Sequence, residues 1–174
     1  DKICMVVSFG LAATASIIIG REVGAGRLQK VRSSGAALCA VSLLCGTAIG
    51  LSLFLFARFL APAWVFPLFK MSARSASIAV MMMTVQAAVR PLRDFNCVAI
   101  VGVLRGGGDV RMATIIDTAP QWLIAIPAAV LLGSVLKLDI LWVYLATTLE
   151  SVVKFGFGVQ RISTDKWIRD LTQT

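Results

Sequence analysis

The chain has 174 residues, 58% of them hydrophobic and 15% charged, with a net charge of +8 and a mean hydropathy of +0.86. A water-soluble domain carries about 25% charged residues, so this composition excludes an ordinary soluble globule. Nucleic acid is excluded as a partner: Lys and Arg sit at the ends of apolar blocks, not in one stripe interleaved with aromatics.

Residues 3–20, 33–57 and 118–136 contain no Asp, Glu, Lys or Arg, giving runs of 18, 25 and 19 residues. A helix needs about 20 residues to cross the hydrocarbon core, and runs so long and evenly apolar do not suit barrel strands. The pattern predicts an all-α integral membrane protein with five transmembrane helices. They fall at about 3–24, 33–59, 74–104, 112–136 and 139–160, with a tail over 161–174.

The first span is rich in small residues from Ala12 to Ser16, and Gly20 and Gly24 extend a small-xxx-small pattern into a basic loop. Such residues let helices approach closely where lipid gives no hydrophobic drive for association. The second span holds a GxxxG pair, Gly46 and Gly50, read as packing, and gives way after Arg58 to an irregular interfacial loop around Pro62, Trp64 and Pro67. The third is interrupted by Arg90-Pro91-Leu92-Arg93-Asp94, where proline frees a carbonyl and permits a kink. The fourth carries Asp117 near its start and Trp122 between Pro120 and Pro127; the fifth carries Glu150 and Lys154. Trp64, Trp142 and Trp167 fall near span ends as interfacial anchors do. The tail, with Lys166, Trp167 and Arg169, reads as a surface-lying segment.

Five spans give alternating loops. One side receives Arg21, Arg27, Lys30, Arg32, Arg105, Arg111, Arg161, Lys166 and Arg169, nine basic residues; the other receives Lys2, Arg58, Lys70, Arg74 and Lys137, five. The bias places the loop at 105–111 and the C-terminus in the cytoplasm, with the protein in the plasma or inner membrane.

Ionisable groups within a bilayer are functional candidates by default. Around Pro91, two readings stand side by side. One is a hydrated cavity in which Asp94 binds a proton or cation and Arg90 tunes it, with Gln86, Asn96 and Trp122 lining the cavity. The other is a self-neutralising Arg90–Asp94 pair. Glu150 and Lys154, four residues apart, predict a structural ion pair on one helix face, and Asp117 a cap or a pair with Arg111. The three glycines at 106–108 lack the GxxxxGK[ST] spacing of a phosphate loop and read as a tight turn. Cys4, Cys39, Cys45 and Cys97 form no CxxC pair and there is no His, so no metal site, cofactor or catalytic residue is expected. Nothing points to an enzyme.

Three stretches together resemble the multidrug and toxic compound extrusion (MATE) family. Ala15-Ser16-Ile17-Ile18-Ile19-Gly20-Arg21-Glu22-Val23-Gly24-Ala25-Gly26 is similar to its "IGxxLGAG" helix end. Gly102-Val103-Leu104-Arg105-Gly106-Gly107-Gly108-Asp109-Val110-Arg111 is similar to "GxLRGxGDTR", with Val110 in place of Thr. Arg161-Ile162-Ser163-Thr164-Asp165-Lys166-Trp167-Ile168 resembles the closing "RxxSxKWI".

The resemblance implies that residues 1–174 are a partial C-terminal lobe, helices eight to twelve of a twelve-helix transporter, whose partners are the lipid bilayer and the N-terminal lobe of the same protein. It further implies a secondary antiporter that exports cationic or amphipathic drugs and metabolites, small organic cations among them, in exchange for protons or sodium by alternating access. Some members couple through an acid in the tenth helix, and Asp94, eleven residues before Arg105, is the matching position here. The alternatives are a lipid-linked precursor flippase of related architecture and a non-transporting membrane scaffold. A lobe lacking one helix exposes packing surface, which predicts poor folding in isolation.

Overall fold

The computed structural model describes residues 2–168. Among them are five helices long and apolar enough to cross a membrane: α1 (Lys2–Gly24), α2 (Leu28–Leu68), α3 (Ala73–Leu104), α4 (Val110–Val135) and α5 (Ile140–Ser163). A one-turn 3₁₀ segment, Asp165–Trp167, follows. In lipid every backbone polar group must be satisfied within its own segment, which a long apolar run achieves as a helix. Two starts are capped in addition: the Ser75 N–H donates to Ser72 Oγ at 3.2 Å, and the Ile140 N–H to Asp139 Oδ1 at 2.9 Å.

The span boundaries differ from expectation mainly in α2. It begins at Leu28, so Lys30 and Arg32 lie on the helix, and it reaches Leu68. The stretch around Pro62, Trp64 and Pro67 is not an irregular loop. It is helical, with π-type turns over Phe56–Val65 that carry Pro62 and a last turn over Phe66–Leu68. A wider turn relocates the hydrogen bonds that a proline cannot make, so the helix survives it. At 41 residues and 1.5 Å per residue, α2 is about 60 Å long and outreaches a hydrocarbon core of about 30 Å. Further π turns follow elsewhere in the spans. Asn96 is followed by π turns over Cys97–Leu104, Pro120 by Gln121–Ala125, and Pro127 by Leu131–Val135.

The spans pack through small residues. A Cβ on Gly102 would stand 2.8 Å from Ala15 Cβ, and one on Gly106 would stand 2.9 Å from the Ser16 carbonyl oxygen, so α1 lies directly against the end of α3. Likewise a Cβ on Gly46 would meet Pro91 Cα at 2.8 Å, and one on Gly50 the Ala87 carbonyl oxygen at 2.6 Å, which seats α2 against the middle of α3. The GxxxG of α2 is therefore a packing device. Its target is the proline-containing segment of α3.

All three stretches that carry the family resemblance meet at one end of the bundle. Gly108 turns the chain at φ +89°, a backbone angle glycine adopts freely and other residues avoid. Gly107 backs onto the Trp167 ring, Gly108 and Ile168 form an isolated antiparallel bridge, and Arg161 grips Asp109 at 2.6 and 2.7 Å. Trp167 is 1% exposed and donates its indole N–H to the Ile162 carbonyl at 3.0 Å. It is a buried plug under the glycine turn, not an interfacial anchor, and the described part of the tail folds back onto the bundle. Arg169 lies outside the described residues. At the opposite end, Arg74 of α3 and Asp139 before α5 line one pocket, so the alternation of the loops holds.

Candidate functional site

Two charged clusters lie between the spans, both built on α3. The first joins α3 to α1. Arg90 and Asp94 are i,i+4 on one helix face: Arg90 Nη2 stands 2.8 Å from Asp94 Oδ1, and its Nε donates to Oδ2 at 3.1 Å. Ser8 of α1 closes the arrangement, donating to Asp94 Oδ1 while accepting from Arg90 Nη2 at 2.8 Å. Both charged residues are 2% exposed. Each carboxylate oxygen thus accepts a charge-assisted bond, and Gly46 of α2 brings its backbone against the far side of Asp94. A cavity of only about 100 Å³ borders the cluster.

The second cluster lines a wider cleft of about 410 Å³ between α1, α3, α4 and α5, with Arg93, Asn96, Asp117, Glu150 and Lys154 in its wall. The expected Glu150–Lys154 pair does not form. Lys154 reaches across to α4 and bonds Asp117 Oδ1 at 3.3 Å, leaving Glu150 Oε2 buried without a hydrogen-bond partner. Asp117 does not pair with Arg111, which is exposed; it faces Lys154 and, at 3.7 Å, Arg105. Asn96, 7% exposed, ties α3 to α5 by donating to the Ser151 carbonyl at 2.8 Å, while its Oδ1 is also buried without a partner. The wall of the cleft therefore buries two unmatched acceptors, a condition buried polar groups rarely tolerate.

Of the remaining candidates, Gln86 accepts from Arg93 Nη1 at 2.7 Å and so orients that arginine, lining neither cavity. Trp122 also lines neither and is 64% exposed on the outer surface of α4, because the flanking prolines leave the helix continuous and do not turn its ring inward. Sequence reasoning missed Ser8. Its signal is the buried stripe Ser8, Ala12, Ala15, Ile19 and Val23, spaced at threes and fours along α1. The Asp109–Arg161 grip was also missed, since no local spacing links residues 52 apart.

Five antiparallel apolar helices with ionisable groups between them define a multi-pass α-helical membrane protein. The MatE family matches the sequence over residues 1–131, well over half of the chain, and the chain belongs to this family of membrane efflux transporters. No curated protein and no solved structure matches it. The Arg161–Ile168 ending lies beyond the matched residues, yet it packs against the glycine turn within them.

Proposed function

We propose that the chain is part of the C-terminal lobe of a secondary antiporter that exports organic cations or amphipathic compounds in exchange for protons or sodium by alternating access. Four ionisable residues line one open cleft between spans, with two unmatched acceptors buried in its wall, and this observation carries the proposal. Such groups are costly in a bilayer unless they are paired or hydrated, and they mark substrate and ion pathways. Glu150 Oε2 and Asn96 Oδ1, once their side chains turn into the cleft, suit a ligand that donates hydrogen bonds and carries positive charge.

Asp94 is the coupling acid in this reading. In the conformation described, the Arg90 guanidinium occupies the place an ion would take, so binding a proton or sodium ion requires the Ser8–Arg90–Asp94 contacts to open. Ion binding and separation of α1 from α3 are thereby linked: a ligand that prefers the opened state shifts the population towards it. The glycine turn and the C-terminus face the cytoplasm.

Reconstituting the intact transporter in liposomes tests the proposal. An imposed proton or sodium gradient should drive ethidium against its own gradient. Ethidium flux that is indifferent to both gradients would overturn the antiport reading.

A further inference from the structure

A second pair of cavities lies away from the charged cleft, on the outer surface between α4 and α5. One, of about 260 Å³, has a wall made wholly of apolar side chains that runs from Met112 to Ile124 of α4. At 1.5 Å per residue that wall is about 18 Å long, close to the roughly 15 Å of one bilayer leaflet. Leu123 and Phe157 along it are 75% and 53% exposed. The other, of about 290 Å³, shares Met112, Ile116 and Phe157 with the first and opens at the glycine-turn end among Gln160, Arg161, Thr164 and Lys166. A dry groove thus leads into a polar, basic mouth with no acidic side chain among its described lining residues.

We propose that this groove is a binding site for an anionic phospholipid. One acyl chain lies along Ile116, Ala119 and Leu123, and the phosphate sits at the mouth beside Lys166. Apolar grooves on spanning helices face acyl chains, and basic pockets where helices leave the membrane recruit acidic headgroups. Arg161 contributes less charge, because its guanidinium is held by Asp109 at 2.6 Å. It still orients the mouth, since the same side chain reaches the Lys166 carbonyl at 3.4 Å. Arg111, exposed on the first turn of α4 beside Met112, adds positive charge next to the groove. A lipid here would brace the Asp109–Arg161 grip that holds α5 to the glycine turn. The inference is independent of the antiport proposal.

The test is native mass spectrometry of the intact transporter released from detergent with equal amounts of dioleoyl phosphatidylglycerol and dioleoyl phosphatidylcholine. Wild type should retain phosphatidylglycerol preferentially. Lys166→Gln, a surface change that leaves the fold in place, should weaken that preference about fivefold. Ala119→Phe, which fills the groove, should lower retention of both lipids. Equal retention of the two lipids by wild type would overturn the site, as would unchanged preference in Lys166→Gln. Absence of bound lipid from wild type would overturn it too, pointing to a groove covered by protein.

Discussion

The Ser8–Arg90–Asp94 cluster and the Asp117–Glu150–Lys154 cleft use the same kinds of charged group within one bundle, yet packing treats them in opposite ways. Around Asp94, Gly46 and Gly50 let α2 close to backbone contact, and every carboxylate oxygen finds a donor. Around Glu150 no such closure occurs. The space stays open, Lys154 is drawn to a different helix, and two acceptors are left unmatched. Small residues on the neighbouring helix, more than the identity of the charges, decide whether an intramembrane ion pair is sealed or left to meet a ligand.

The contrast is most easily broken at Asp94. Asp94→Ala takes the carboxylate partner from a buried guanidinium, and should cost about 3–5 kcal/mol in the thermal or denaturant stability of the intact protein. The double change Arg90→Met with Asp94→Leu should recover most of that loss, because apolar residues of similar volume can replace a buried pair. Failure to recover would mean the cluster is less sealed than its 2% exposure implies.

Gly46→Ala comes next. Its Cβ would meet Pro91 Cα at 2.8 Å and Asp94 Cβ at 3.1 Å, so about 1–3 kcal/mol of destabilisation is expected. A neutral result would show that α2 does not clamp the cluster. In the cleft, a double-mutant cycle between Lys154 and Asp117 should return a coupling of about 1 kcal/mol or less, since the Asp117 side chain is 42% exposed. A coupling as large as that of Arg90 with Asp94 would erase the distinction. The smallest effect belongs to Glu150→Gln, within about 0.5 kcal/mol, because no bond is lost at Oε2. Ethidium affinity, measured by equilibrium binding, should nonetheless fall in that variant.

Much of this arrangement is legible in the sequence. Block lengths reveal five spans, and the i,i+4 spacing of Arg90 and Asp94 announces their pair. Glycine-rich wording marks the turn at 106–108. What escapes lies in contacts between distant segments. Glu150 and Lys154 have the same spacing as Arg90 and Asp94, yet Lys154 prefers Asp117, because a neighbouring helix offers a carboxylate that local periodicity cannot reveal. Trp167 reads as an interface anchor from its position near a span end, but Gly107 and Gly35 open a slot that its ring fills. The stretch around Pro62 and Pro67 reads as a loop because proline disfavours a helix interior, yet the helix continues through it. π turns carry the chain past Pro62 and follow Pro120 and Pro127.

The division of labour between cluster and cleft is tested most directly by ion-gradient-driven ethidium efflux from liposomes, with Asp94→Asn and Glu150→Gln compared at equal amounts of folded protein. Asp94→Asn should lose the dependence on the proton or sodium gradient, while Glu150→Gln keeps it and requires more ethidium for half-maximal rate. Undiminished gradient-driven efflux in Asp94→Asn, or loss of coupling in Glu150→Gln alone, would contradict the assignment of Asp94 as the coupling acid.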